Sequence, residues 1–259
     1  LGGRLWNPMV RWQVKYAVFL ELETDNGLIG LGECWCFDAQ PDSLVAFLKT
    51  EVLPHIIGVD VEELPTIQNG LRNRAILTAR HGILASALSG IDIAMWDLRA
   101  QAAKIPLWKC LNPHGNGWTK VYASGGLYGT NKDLIALTEE LVSYEKLGFK
   151  IIKMKIGHLT LDEDATRILT AREHLRNETA LIIDAVYNYS TEEAVELWTR
   201  VSSANIIAFQ SPVDAANIEG MRHLCKLGIP VMGIEAEYRI DFLKVMAKTN
   251  AVSIIQTAP

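Results

Sequence analysis

The sequence predicts an α/β protein. Its second half reads as a (β/α) barrel or a doubly wound sheet, and a segment of mixed strand and helix precedes it. Three observations predict this. Two extended segments flank an Asn-Gly turn near the start, a long helical periodicity follows, and from residue 119 six apolar runs alternate with amphipathic helices.

The elements follow in chain order. Residues 14–35, "VKYAVFLELETDNGLIGLGECW", read as a hairpin turning at Asp25-Asn26-Gly27. Residues 41–111 read as helical. Within them Ile83, Leu84, Ala87, Leu88, Ile91, Ala94, Met95 and Leu98 keep a helical period. Pro106 and Pro113 interrupt the pattern, and "NPHGNG" at 112–117 suits a turn between domains.

The six later runs are "KVYASGG" from 120, "FKIIKMKI" from 149, "ALIIDAV" from 180, "NIIAFQSP" from 205, "PVMGIEA" from 230 and "AVSIIQTAP" from 251. Apolar runs without polar alternation suit parallel strands covered on both faces. Because the sequence stops after the sixth run, a barrel would be truncated after strand six; an open six-stranded sheet is the alternative.

Composition narrows the function classes. The chain has 259 residues, 49% of them hydrophobic, and a net charge of −5. Without a basic surplus no nucleic-acid partner is expected. No apolar run approaches the roughly 20 residues that span a bilayer, so no membrane partner is expected either. The first residues lack the apolar core of a secretory signal. The four cysteines show no disulfide framework, and Cys34-Trp-Cys36 reads as a buried or half-buried thiol pair rather than a metal site. A cytoplasmic setting follows as an expectation.

The chemistry is expected at the C-terminal ends of the strands. Those ends carry Lys153 and Lys155, then Asp184, Gln210 and Glu235, and last Thr257 and Ala258. Asp184, Gln210 and Glu235 lie 26 and 25 residues apart, one βα unit each. Their oxygens form a hard-donor set suited to Mg²⁺. Asp184 alone could instead cap the following helix. Lys153 and Lys155 share one strand face about 7 Å apart. Two ammoniums so placed disfavour each other's charged form, and a lysine tuned toward neutrality beside a divalent cation is a general base.

These motifs resemble the enolase superfamily, in its mandelate racemase and muconate lactonizing enzyme branch. "ALSGIDIAMWDLRAQAAKIPLWKCLN" (87–112), with Asp92, Ala94, Trp96, Asp97 and Pro106, looks like that branch's signature helix. "KMKIG" resembles its Lys-x-Lys strand, "DAVYNYS" its first metal-ligand strand, and "IEAEY" with "AVSIIQ" its third and the strand after. The resemblance implies a TIM-type (β/α) barrel at 118–259, showing its first six strands, and an α+β capping domain at 1–117, incomplete at its N-terminus. It implies Lys155 as base, Lys153 as its electrostatic partner, and Asp184, Gln210 and Glu235 as ligands of Mg²⁺. The implied substrate is a small carboxylate and the implied assembly a homo-oligomer.

The departures are specific. Gln210-Ser211-Pro212 replaces the usual Glu-Glu-Pro, so the second ligand brings no charge. Val186 replaces an Asn, and Ala258 replaces an Asp at the end of strand six. Glu237 and Asp214 are near enough in sequence to substitute as ligands. In the capping segment, "RLWNPMVRW" and "CWCFD" offer Arg4 and Arg11 for a substrate's distal groups, while packing is the other role for the tryptophans. The expected activity is metal-assisted abstraction of the proton α to a carboxylate, giving racemisation, epimerisation or dehydration of a hydroxy acid or acid sugar. The alternative is a catalytically impaired member that binds acids or serves a structural role.

Overall fold

The computed structural model describes residues 2–36, 41–75, 82–235 and 237–257. They form two compact units, Val14–Thr119 and Leu1–Gln13 with Lys120–Pro259. Residues 2–13 therefore depart from the expected 1–117 domain. Their two-residue strand β1 (Leu5–Trp6) pairs antiparallel with a strand at Tyr128–Gly129 in the second unit. A stretch this short carries no periodic signal to assign it.

In the Val14–Thr119 unit, β2 (Val18–Glu23) and β3 (Ile29–Cys34) form the expected hairpin, turning through Gly27 at φ +81°. The region 41–111 is helical but broken. It contains α1 (Pro41–Phe47), α2 (Leu64–Arg74), α3 (Ile83–Ala103) and α4 (Leu107–Leu111), with short irregular turns between α1 and α2. The α3 helix stops where Lys104 turns left-handed, just ahead of Pro106.

The hairpin lies on α3 with almost no gap. A Cβ at Gly32 would fall 1.9 Å from the Gly90 carbonyl oxygen. The outward backbone of β3 is covered as well: Asp97 accepts from the Leu31 amide at 2.9 Å, and Gln101 donates to the Ile29 carbonyl at 2.7 Å. Cys34 is buried and Cys36 half-buried, as expected. Burial pushes the Cys34 thiol up to about 11, which opposes a metal-binding thiolate.

The second unit supplies the parallel sheet. Its strands are β4 (Ala123–Ser124), β6 (Ile151–Lys155), β7 (Ala180–Asp184), β8 (Ile206–Gln210), β9 (Val231–Gly233) and β10 (Ile254–Ile255), while Tyr128–Gly129 is β5. They are hydrogen-bonded in sequential order β4-β6-β7-β8-β9-β10, each pair parallel. Helices α5 (Leu134–Lys146), α6 (Leu161–His174), α7 (Thr191–Val201), α8 (Ile218–Lys226) and α9 (Ile240–Lys248) alternate with them. The local sequence sets several helix starts. Asp133 and Asn217 cap α5 and α8, and Thr160-Glu163 and Ser190-Glu193 form complete capping boxes on α6 and α7.

Strand alternation separates the two faces of this sheet. Ile152, Met154, Leu181, Ile183, Phe209 and Val231 pack with Leu137, Leu141, Ile168, Leu197, Leu224 and Met246 in the main core. The opposite face holds a smaller cluster of Ile182, Ala208 and Met232, with Tyr122 and Ile151 against it. By the period of two, that second face is also where Lys153, Lys155, Asp184 and Gln210 belong. Among the described residues, no helix is long and apolar enough to cross a membrane.

Candidate active site at the strand rim

The register brings the predicted residues together. Lys155, Asp184 and Gln210 are successive Cα partners across β6, β7 and β8. Lys153 sits one pleat lower, opposite Ile182 on one side and Ser124 on the other. Glu235 follows β9, past a left-handed Ile234 at φ +70°.

Their side chains form one connected network. Lys155 donates to Asp184 Oδ2, and Lys153 Nζ lies 3.4 Å from the same oxygen. Lys153 Nζ also donates to Gln210 Oε1 at 3.0 Å, and Gln210 Nε2 donates to Glu235 Oε2 at 3.0 Å. The second carboxylate oxygen of Asp184 accepts from the Val186 amide at 3.1 Å. Lys153, Asp184 and Gln210 are at most 5% exposed, while Lys155 and Glu235 are half-buried at the edge of the network. Asp184 is not a helix cap, because Ser190 caps α7.

The burial of two ammoniums on one strand face therefore has a local explanation. The protein supplies a carboxylate against both of them, and Glu235 lies one amide beyond, so the four charges sum to zero. An unpaired buried cation would be far more costly.

The donor set suits a hard cation. Asp184 and Glu235 offer carboxylate oxygens, and the Gln210 carbonyl oxygen keeps one lone pair beyond the bond from Lys153. Among the described residues, no group of three His, Cys, Asp or Glu could hold a metal; the third donor here is an amide.

The other candidates stand elsewhere. Glu237 is engaged by Arg239, which donates to it at 2.7 Å and, as the leading cause, holds its carboxyl below the usual range. Asp214 accepts from the Ala216 amide at 2.8 Å in a local turn. The Arg11 guanidinium stacks over Trp6 at 3.9 Å, a packing contact for both. Ala258, and Phe37 and Asp38 of "CWCFD", lie outside the described residues.

Sequence reasoning missed Tyr122, whose ring centre lies 5.5 Å from Lys153 Nζ. Burial, then the charges of Glu235 and Asp184, raise its hydroxyl above the usual phenol range, so it stays protonated. Its parity with Ser124, the register partner of Lys153, was the available signal.

A second buried cluster joins loops at the same end of the sheet. Asp164 accepts from the Tyr128 hydroxyl at 2.8 Å, the Tyr189 hydroxyl at 2.7 Å and the Gly157 amide at 2.8 Å. Arg167 lies over Tyr128 at 4.4 Å and donates to the Gly126 carbonyl at 3.1 Å. Burial, then the charge of Asp164, pushes both tyrosine hydroxyls well above the phenol range, which keeps them donors. This cluster ties together the loops after β4, β6 and β7. The backbone is strained in the loops after β7 and β8, with Val186 at φ +50°, Tyr187 at +66° and Ser211 at +44°.

Comparison with known proteins agrees with the motifs. Residues 136–259 match the family described as enolase C-terminal domain-like. Residues 9–112 match the mandelate racemase / muconate lactonizing enzyme N-terminal domain. Arabinonate dehydratase of Saccharolobus solfataricus is 32% identical over 93% of this chain and 64% of its own length. D-galactarolactone cycloisomerase of Agrobacterium fabrum is 29% identical over 95% of this chain and 65% of its own. The chain thus spans slightly less than two thirds of these relatives. The structure of L-talarate/galactarate dehydratase from Salmonella typhimurium LT2, liganded with Mg and L-lyxarohydroxamate, superposes with a TM-score of 0.84 at 26% identity, over 93% of this chain and 61% of that one. Motif order, sheet and family matches agree: the chain belongs to the mandelate racemase and muconate lactonizing enzyme branch of the enolase superfamily.

Proposed function

We propose that this chain takes the proton α to the carboxylate of a hydroxy acid or acid sugar, with Lys155 as the base. The observation that carries the reading is the buried network of Lys153, Lys155, Asp184, Gln210 and Glu235 on one rim. Lys155 acts from its neutral amine form, after its ammonium proton has passed to solvent: the Nζ lone pair takes the α-proton as the C–H bond breaks, and the electron pair of that bond moves toward the carboxylate. Lys153, one pleat lower, presents positive charge to that developing anion. Delivery of a proton to the opposite face of that carbon gives racemisation or epimerisation; departure of a β-hydroxyl together with a proton, as water, gives dehydration.

Asp184, Gln210 and Glu235 would hold Mg²⁺, whose chemistry there is Lewis-acid stabilisation of negative charge on carboxylate oxygens. The fold to which these residues belong would be a TIM-type barrel, acting in the cytoplasm within a homo-oligomer, as the family resemblance implies.

The test is Lys155→Ala. Exchange of the α-proton of a panel of acid sugars with solvent deuterium is expected to vanish, with an unchanged circular dichroism spectrum. Exchange at the unsubstituted rate would remove Lys155 from the mechanism.

A second reading rests on Gln210 and Val186. The uncharged ligand weakens a cation site, and Val186 offers the rim only its backbone amide. The chain would then bind acids without turning them over. Binding of an acid by calorimetry with no turnover across the panel would favour it.

A further inference from the structure

We propose that Gln210 is a neutral strut that assembles the anionic rim ahead of any cation, trading cation affinity for stability of the cation-free protein. The inference deepens the reading of this rim as a cation site. It starts from what an amide can do that a carboxylate cannot. Gln210 is fully buried. It accepts from Lys153 on one side and donates to Glu235 on the other, both at 3.0 Å. With the 3.4 Å approach of Lys153 to Asp184, an unbroken polar chain runs Asp184–Lys153–Gln210–Glu235.

A glutamate at this position has acceptors only. It could take the bond from Lys153 but would face the Glu235 carboxylate with no hydrogen to share. Two lysines would then balance three acids, leaving an excess negative charge in a water-poor site. A divalent cation would relieve that excess. With glutamine the rim is already neutral and internally bonded, so a cation finds less negative charge to join.

The experiment uses the full chain dialysed against chelator. Melting is followed with and without MgCl₂, and Mg²⁺ affinity is measured by titration calorimetry, for the natural protein, Gln210→Glu and Gln210→Met. Gln210→Glu is expected to melt roughly 4 °C lower without metal. It should bind Mg²⁺ on the order of tenfold tighter and recover its lost stability at saturating Mg²⁺. Gln210→Met, of similar length but without hydrogen bonds, should melt lower with no gain in affinity.

Gln210→Glu melting as high as the natural protein without metal would overturn the strut. If that variant does not fold even with Mg²⁺, Gln210→Met decides: an unchanged melting temperature overturns the proposal and a lower one supports it. Absence of Mg²⁺ binding in both the natural protein and Gln210→Glu would overturn the affinity half and the cation reading together. A cation reading that holds while metal-free melting is unmoved would overturn the strut alone.

Discussion

Lys155 and Asp184 are register partners on adjacent parallel strands, and the lysine ammonium donates directly to the aspartate Oδ2. Lys153 reaches the same oxygen from one pleat below. A single buried carboxylate therefore keeps two cations tolerable inside an apolar sheet.

Removing it should be costly. Asp184→Ala leaves both ammoniums without their shared partner, and breaking a buried pair in this way costs roughly 3 kcal/mol or more. Urea denaturation followed by circular dichroism is expected to show that loss. Adding Lys155→Met to the same background should recover part of it, because one of the orphaned charges is gone. A double variant as unstable as the single one would mean that the ion pair is not what stabilises the strand ends.

The Asp164 cluster predicts an order of effects. Tyr128→Phe and Tyr189→Phe each remove one hydroxyl donor, a loss of about 1 kcal/mol. Asp164→Ala strands two buried hydroxyls and the Gly157 amide together, and should cost about 3 kcal/mol or more. Because the three side chains share one network, the double Tyr→Phe variant should deviate from additivity. Equal losses for Asp164→Ala and either tyrosine variant would dissolve the cluster as a unit.

Glu140 gives stability a dependence on pH. Burial alone would raise its carboxyl, but the Lys132 ammonium, the Tyr144 hydroxyl and the Gly126 amide outweigh burial and hold it below its ordinary value of 4.5. A folded-state pKa below the unfolded one means stability that is fully present above 4.5 and lost as pH falls through the depressed value. Lys132→Met removes the leading stabilising partner and should reduce this contribution. Melting profiles of the variant and the natural protein should differ most near neutral pH and converge in strong acid. Curves separated by the same amount from pH 7 to pH 2 would show that Lys132 acts otherwise.

Much of the site was legible because strand periodicity is rigid. Once "IIKMKI" and "ALIIDAV" are read as parallel strands, Lys153, Lys155 and Asp184 must share a face, and a βα unit's length brings Gln210 and Glu235 to the same rim. Other features had no local signature. Tyr128, Tyr189 and Arg167 meet Asp164 or the Gly126 carbonyl across separations of 25 to 41 residues, set only by the packed fold. The pairing of residues 5 and 6 with β5 is likewise long-range. Val186 and Ile234 run against local preference outright, since β-branched residues avoid positive φ.

Those two residues mark an opportunity for protein engineering. A side chain held left-handed costs of order 1 kcal/mol or more that glycine or asparagine would largely recover. Natural proteins seldom sit at their stability optimum, and here the reserve lies beside Asp184 and Glu235, where any thermostabilising replacement would also shift the backbone that aims the two proposed ligands.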